Sequence, residues 1–441
     1  MSTITRRGNS FRIRVSCGYD INNKQIMKSL TWTPEPGMTP KQIEKALERQ
    51  KVLFEEKCGT GQYLDGRIKF IDFQEKWFKD YAEKHLRPTT LLSYRQLIQR
   101  INATIGHLCL EKIQPHHLLS FYDNLSKENV RNDYTYKSII NFKHFLSEKK
   151  ITIVKLTKDA KVSEYVVISL LKYRNVTKSS AEKISKALNI KMTELFEPVN
   201  SKAKLAPKMI LHHHRLISKI LNTAVEWQVI LSNPCNRVKP PKSKRIEAKY
   251  LDEIEAALLL ERLENENFQY HTMIKLLLYT GIRRGELCGL EWKDIDFDNQ
   301  VMHIRRTSLY LPGKGIFVDD TKSMTSERSI KLPQSAIDIL KEFNHYQEQQ
   351  KLEVGDNWID NDRLFTSWDG QPIHPHTISG WFRKFIYKNN LPSVSIHSLR
   401  HTNATLLIAS GVPIKTVSHR LGHAQTSTTA NIYAHAIRSA D

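Results

Sequence analysis

The 441 residues predict a multidomain chain, mainly α-helical with small β-sheets. Three observations lead there. The length exceeds what one hydrophobic core ordinarily serves, so two to four domains are expected. Long stretches repeat apolar residues at steps of three and four, whereas a few short stretches alternate with period two. Proline and glycine clusters punctuate these stretches near residues 34–40 and 233–245. The expected order is a three-stranded sheet with a helix, a helical domain interrupted by a smaller helical insertion, and a large α+β domain.

Composition narrows the class. Lysine and arginine total 67 against 46 acids, a formal charge of +21, which favours a polyanionic partner. The five cysteines, Cys17, Cys58, Cys109, Cys235 and Cys288, form no Cys-x-x-Cys pair. That argues against a disulfide framework or a zinc module and fits a reducing cytoplasm. No apolar run approaches the roughly 18 residues of a membrane span, and no signal-peptide core stands at the N-terminus. A soluble, cytoplasmic protein without a membrane partner is expected.

In the N-terminal module, Ser10-Phe11-Arg12-Ile13-Arg14-Val15 alternates apolar and charged residues, as a half-exposed strand does. Gly18-Tyr19-Asp20 and Asn22-Asn23 predict a turn, and Lys28 to Trp32 a partner strand. Thr39-Pro40 opens a helix reaching about Lys57. The first 30 residues carry Arg6, Arg7, Arg12, Arg14, Lys24 and Lys28 against Asp20 alone. A strand face bearing Arg12 and Arg14 suits a DNA groove, although a solvated sheet face has the same pattern.

From Ile68 the helical period takes over. Phe70, Phe73, Trp77, Phe78 and Tyr81 mark one helix, Leu91 to Ile101 a second after Pro88, and Leu118 to Leu125 a third after Pro115. A fourth runs from about Pro207 to Trp227. Its consecutive His212, His213 and His214 point in different helical directions, which makes a poor metal cage, and they are expected at the surface or facing phosphate.

Between the third and fourth helices lies an insertion, expected over 137–199. Phe142 to Lys150, Leu156 to Ser163, Val166 to Leu171, Ile184 to Ile190 and Glu194-Leu195-Phe196 give five helical stretches. They resemble the Cro/repressor-type helix-turn-helix domain. That resemblance implies that the helix after Ser163 enters the major groove, presenting Glu164, Tyr165, Val166 and Ser169. Lys172 and Arg174 are candidate phosphate contacts. DNA contact and protein contact are both open for this insertion. Val238-Lys239-Pro240-Pro241-Lys242-Ser243-Lys244-Arg245 then forms a proline-stiffened basic linker, with Lys242, Lys244 and Arg245 as candidate DNA contacts.

In the last domain Thr280-Gly281-Ile282-Arg283-Arg284-Gly285-Glu286 follows an apolar helix, so an arginine projects from the start of the next one. A sheet is expected from Met302 to Arg305, Ile316 to Val318 and Arg328 to Leu332, with Lys322 at a hairpin tip. His397-Ser398-Leu399-Arg400-His401, Leu421-Gly422-His423 and Tyr433 follow. Tyrosine, with a reference pKa of about 10, is a weak nucleophile that needs cationic neighbours.

The ordered set Arg283, Lys322, His397 with Arg400, His423 and Tyr433 resembles the catalytic domain of the tyrosine recombinases, the phage-integrase family. The resemblance extends upstream. It implies an arm-type DNA-binding domain over 1–64, a SAM-like core-binding domain over 66–241 interrupted by the insertion, and a catalytic domain over 246–441. The expected activity is integration and excision of a phage or other mobile element through a 3′-phosphotyrosyl intermediate. Tyr433 is then the nucleophile, Arg283 and Arg400 clamp the phosphate, and Lys322 is the general acid. His397 assists proton transfer from Tyr433, and His423 bonds the phosphate.

Guanidinium forks fit the charge that builds on the non-bridging oxygens, and each well-placed donor supplies roughly 3 kcal/mol. No cofactor and no metal are expected. Zinc on the pairs His397/His401 or His419/His423 would leave the arginines and Tyr433 unexplained. Arg284 and Glu286 suit helix packing or ion pairing.

The implied partners are double-stranded DNA attachment sites, three further copies of the chain in a synaptic homotetramer, and a host DNA-bending protein or excisionase. The implied setting is the nucleoid of a prokaryotic host. Only Ala434 to Asp441 follow Tyr433, a short tail for the exchange of C-terminal segments between protomers that the family uses. A non-catalytic DNA-binding regulator and a type IB topoisomerase are the rivals. The complete six-residue set argues against the first, and the second has no need of an arm-binding module.

Overall fold

The computed structural model describes residues 2–19, 23–59, 66–128, 135–199, 204–242, 248–320 and 327–433. The chain divides into two compact units, Met1–Lys244 and Arg245–Asp441.

In the first unit, β1 (Ser2–Arg7), β2 (Ser10–Tyr19) and β3 (Gln25–Trp32) form an antiparallel sheet with β2 central. The period-two pattern sends Ile13 and Val15 towards helix α1 (Pro40–Gly59), whose Phe54 and Cys58 complete a small core. Arg12 and Arg14 therefore share the opposite face. Arg12 donates from Nη2 to Ser29 Oγ at 3.3 Å, and Arg14 is exposed. β2 continues through Gly18 and Tyr19, where the sequence suggests a turn, and Asp20 to Asn22 fall outside the described residues.

Helices α2 (Phe70–Trp77), α3 (Pro88–Ile105) and α4 (Pro115–Leu125) share a core with the long helix Pro207–Glu226. Both α3 and α4 begin on proline, which lacks an N–H that the first turn would leave unpaired. Trp77 Nε1 donates to Thr223 Oγ1 at 3.1 Å inside this core.

His213 departs from the expected surface position. It is fully buried, edge-on to Phe121 at 5.9 Å, with Nδ1 2.8 Å from the Met209 carbonyl. Position 213 falls on the stripe of Ile210, Leu216, Ile217 and Ile220, so helical periodicity overrides the polarity of the side chain.

The insertion comprises β4 (Thr135–Ser138), α5 (Phe142–Glu148), α6 (Ile153–Ala160), α7 (Glu164–Leu171), β5 (Val176–Thr177), α8 (Lys178–Leu188), α9 (Met192–Leu195) and β6 (Phe196–Val199). It has its own core of Phe142, Leu146, Leu156, Val167, Leu170, Ile184 and Phe196. Thr152 and Thr177 cap α6 and α8 by accepting from the backbone N–H groups of Lys155 and Ser180. Thr135 pairs with Val199, so this ladder begins two residues before the expected start at 137. On α7, Glu164 and Tyr165 are exposed and Val166 is half-buried, but Ser169 turns into the core instead of outwards. Counting on, the long helix Pro207–Glu226 is α10.

The second unit contains α11 (Glu253–Leu263), α12 (Phe268–Thr280) and the short α13 (Arg284–Leu287). Five strands follow: β7 (Ile295–Asp296), β8 (Val301–Ile304), β9 (Arg306–Leu311), β10 (Gly315–Asp320) and β11 (Arg328–Lys331). They make two sheets rather than the single expected one. β8 pairs with β7 and β11, while β10 pairs with β9, which is not among the strands expected from the sequence. Helices α14 (Gln334–Val354), α15 (Pro375–Lys388), α16 (Ile396–Ala409), α17 (Ile414–Leu421) and α18 (Thr426–Ile432) complete the unit. Its main core runs from Leu251 through Leu277, Met302, Leu340 and Phe382 to Leu399. Among the described residues no helix is long and apolar enough to cross a membrane.

Candidate active site

Two glycine turns bring the site together. α12 ends at Gly281 with φ of +66°, a conformation that favours glycine, and a Cβ there would lie 2.6 Å from Asn403 Oδ1. Gly422, also at φ +66°, ends α17.

Arg283 stands at the N-terminus of α13. Its backbone N–H donates to Glu286 Oε2 at 2.8 Å, and its Nη1 donates to Glu286 Oε1 at 2.7 Å. Its Nη2 reaches the Gly422 carbonyl at 3.2 Å. Arg400, one turn into α16, donates to the Gly281 and Leu421 carbonyls at 2.8 and 2.6 Å. Both guanidiniums therefore converge on the turn that precedes His423.

Glu286 is buried and is also held by Arg328 of β11, with Nη2–Oε2 at 2.8 Å. Burial alone would raise the Glu286 carboxyl. The hydrogen bonds and charge of Arg328, joined by the charge of Arg283, more than offset this and hold it below the ordinary carboxylate range. Arg400 is 2 % exposed. Burial, then the neighbouring Arg283 charge, pushes it down to about 9. That still lies above neutral, so Arg400 carries its charge at physiological pH.

Tyr433 follows α18 and is 1 % exposed among Ala404, Ile408, Val417 and Leu421. Burial pushes its hydroxyl up to about 12, against the opposing charge of Arg400. It therefore arrives protonated and needs a base. His401 Nδ1 lies 2.9 Å from the hydroxyl. His397, one helical turn earlier, is exposed and meets the His401 ring edge-on at 4.9 Å. Its pKa is lowered, first by loss of solvation and then by the charges of Arg400 and Arg283. His423 Nδ1 lies 2.8 Å from Thr429 Oγ1. Burial first, then the surrounding arginines, pushes His423 down to about 4, so it is neutral at pH 7.

Five of the six expected catalytic residues thus lie in the second unit around the Gly281 and Gly422 turns and α16. Lys322 lies outside the described residues. Arg12 and Arg14 sit on the N-terminal sheet, and Lys172 and Arg174 are exposed just beyond α7. Lys242 is exposed in the linker, while Lys244 and Arg245 lie outside the described residues.

The position of His401 beside Tyr433 differs from the expectation that gave this place to His397. The four-residue spacing of the pair puts both on one helix face, and the inner turn faces the tyrosine. Glu286 pairs as expected, whereas Arg284 donates to Ser379 Oγ at 2.8 Å. Arg328 was missed, because nothing in a period-two strand marks an arginine as buried.

Known proteins resemble all three of these regions. Residues 249–439 match the phage integrase family, 69–126 its N-terminal SAM-like domain, and 141–201 the Cro/C1-type HTH DNA-binding domain. A tyrosine recombinase XerC-like protein of Caldanaerobacter subterraneus subsp. tengcongensis is 30% identical over 285 residues, covering 60% of this chain and 72% of that protein. The ICEBs1 integrase of Bacillus subtilis is 27% identical over 219 residues, half of this chain and 59% of its own length. The integrase of Mycobacterium phage D29 is 29% identical over 223 residues, with 56% of its length covered. In fold, the chain resembles the Tn1549 transposon integrase, solved with transposon right end DNA. The TM-score is 0.58 at 18% identity, covering 85% of this chain and 97% of that one. The chain belongs to the tyrosine recombinase family of phage-type integrases, with a Cro/C1-type helix-turn-helix domain set between its core-binding helices.

Proposed function

We propose that the chain cleaves and rejoins DNA at specific attachment sites to integrate or excise a mobile element, with Tyr433 as nucleophile. The observation that carries this reading is the convergence of Arg283, Arg400 and His423 on one turn, with the Tyr433 hydroxyl held by a histidine of the Arg400 helix. Tyr433 Oη forms a bond to phosphorus as the bond to the 5′-oxygen breaks. His401 takes the phenolic proton, and Lys322, by family analogy, protonates the leaving 5′-hydroxyl. Arg283 and Arg400 stabilise the charge on the non-bridging oxygens, and His397 and His423 bond the same phosphate. The phosphotyrosine keeps the energy of the diester, so a second 5′-hydroxyl reverses the step without ATP.

Exchange between two duplexes involves four strands and hence four tyrosines, which supports a homotetramer in the synaptic complex. The setting that fits is the nucleoid in the cytoplasm of a prokaryote. An excisionase or DNA-bending protein would set direction, residues 1–64 would bind arm-type sites, and 66–241 and the linker would embrace the core site.

The test is a suicide duplex carrying the core site selected from random DNA by the full chain with Tyr433→Phe. The wild type is expected to form a covalent adduct that survives denaturation, and Tyr433→Phe none. A wild type that binds the site but yields no adduct sinks the reading. Strand exchange between two duplexes then separates a recombinase from a topoisomerase.

A further inference from the structure

Around the candidate site, Arg328 does something that the phosphate clamp does not explain. Its side chain is 0% exposed, so it cannot touch DNA from this position. It forks the Glu286 carboxylate, with Nη2–Oε2 at 2.8 Å and Nη1–Oε1 at 3.3 Å, and its Nε donates to the Arg420 carbonyl at 2.7 Å. The same carboxylate takes Nη1 of Arg283, whose side chain stays 40% exposed. The three groups sum to one positive charge, and the open end of that charge is Arg283. Without Arg328 the sum is zero, and Glu286 cancels the guanidinium meant for phosphate. Arg328 also lies directly beneath Gly422, where an added Cβ would come within 2.9 Å of Nη1. It therefore braces the turn whose carbonyls receive Arg283 and Arg400 and which leads into His423.

We propose that Arg328 is a positioning residue for strand cleavage. It neutralises Glu286 so that Arg283 keeps a net charge for the DNA phosphate, and it fixes the turn that sets His423. This rests on the cleavage reading given above. Loss of Arg328 strands the Glu286 carboxylate, and neutralising that carboxylate relieves the damage. A merely structural ion pair would show that damage and relief in stability and leave the cleavage rate of the folded protein at saturating DNA unchanged, whereas a positioning residue shows both in that rate.

The test compares adduct formation by the full chain on the same suicide duplex at saturating DNA, with DNA affinity measured separately. Arg328→Met is expected to slow cleavage by about 100-fold with affinity changed less than about threefold, the pattern of a group that acts in the transition state. Adding Glu286→Gln to Arg328→Met is expected to restore at least roughly tenfold of that loss, because Arg283 regains its charge. A double variant as slow as or slower than Arg328→Met overturns the proposal.

Should the methionine variant not fold, Arg328→Lys decides. It keeps the charge and is expected to cleave within about tenfold of wild type, and a folded lysine variant that falls further overturns the proposal. A wild type that forms no adduct removes the cleavage reading and this inference together. A wild type that forms one while the variants behave otherwise removes this inference alone.

Discussion

At the scale of single residues, the site is tuned by burial. Tyr433 is protonated, with its hydroxyl raised to about 12, and the histidine at 2.9 Å is His401. A general base of this kind is worth about 10²–10⁴ in rate. His401→Ala is therefore expected to slow adduct formation by about a hundredfold while site affinity is unchanged, read from single-turnover cleavage. His397→Ala in the same assay separates the two histidines, because of the two it is His401 whose ring nitrogen lies within hydrogen-bond distance of the Tyr433 hydroxyl.

His423 gives a second expectation. Its folded pKa of about 4 lies below its ordinary value, so the unfolded chain takes up the proton first. The stability contributed by the neutral ring is complete above about pH 6.5 and is lost as pH falls towards 4. Burial lowers His271 in the same unit as well. The wild-type Tm should drop between pH 7 and pH 5, and His423→Gln should drop less. Equal slopes in the two proteins would show that the ring is not held neutral by the fold.

At the scale of elements, α10 and the insertion each carry an expectation. His213 on α10 is fully buried, its Nδ1 bonded to Met209 and its Nε2 without a partner among the described residues. Burial lowers its pKa, which also makes this helix acid-sensitive. His213→Leu keeps the apolar stripe and removes both the orphan nitrogen and the proton uptake. It is expected to leave stability at pH 7 within about 1 kcal/mol and to raise it at pH 5 relative to wild type, measured by denaturant unfolding at the two pH values.

For the insertion, antiparallel pairing of Thr135 with Val199 brings its two ends to neighbouring strands, a separation of about 5 Å. Replacing residues 135–199 by a short glycine–serine linker is thus expected to keep adduct formation on a single core site. An insoluble or inactive product would tie the insertion to the helical core.

The same elements explain what the sequence revealed. The candidate site residues were legible because their order along the chain resembles that of the tyrosine recombinases, and helix ends and glycine turns hold Arg283, Arg400 and His423 in place. The helices were legible from their period and from Pro88, Pro115 and Pro207. β9 was not, since Arg305-Arg306-Thr307-Ser308 lacks clean alternation and only its pairing with β10 defines it. His213 lies on the legible apolar stripe of α10, and only its polarity pointed to the surface, whereas the burial of Arg328 depends on Glu286 and the Arg420 carbonyl, far away in the chain.

At the scale of the whole molecule, the dominant quantity is the charge of +21. Binding to duplex DNA releases counterions, and log K falls with log salt by about 0.9 for each phosphate neutralised. The N-terminal sheet puts Arg12 and Arg14 on one face because Ile13 and Val15 take the other, while Arg6 and Lys28, paired with Phe11 and Val15, belong to the Ile13 face. If that face binds arm-type sites, deleting residues 1–64 should flatten the salt slope on full attachment sites and leave the slope on the isolated core site unchanged. The double variant Arg12→Ala/Arg14→Ala should reproduce part of this, lowering the slope by up to about two units on full sites only. Equilibrium binding from 50 to 300 mM salt on the two DNA lengths provides the measurement. A deletion that flattens both slopes equally would mean that the sheet touches core DNA, and one that flattens neither would leave its basic face solvated. Cleavage separates these contacts from chemistry, because residues that only neutralise phosphates lower affinity uniformly, whereas Arg283 and Arg400 change the rate at saturating DNA.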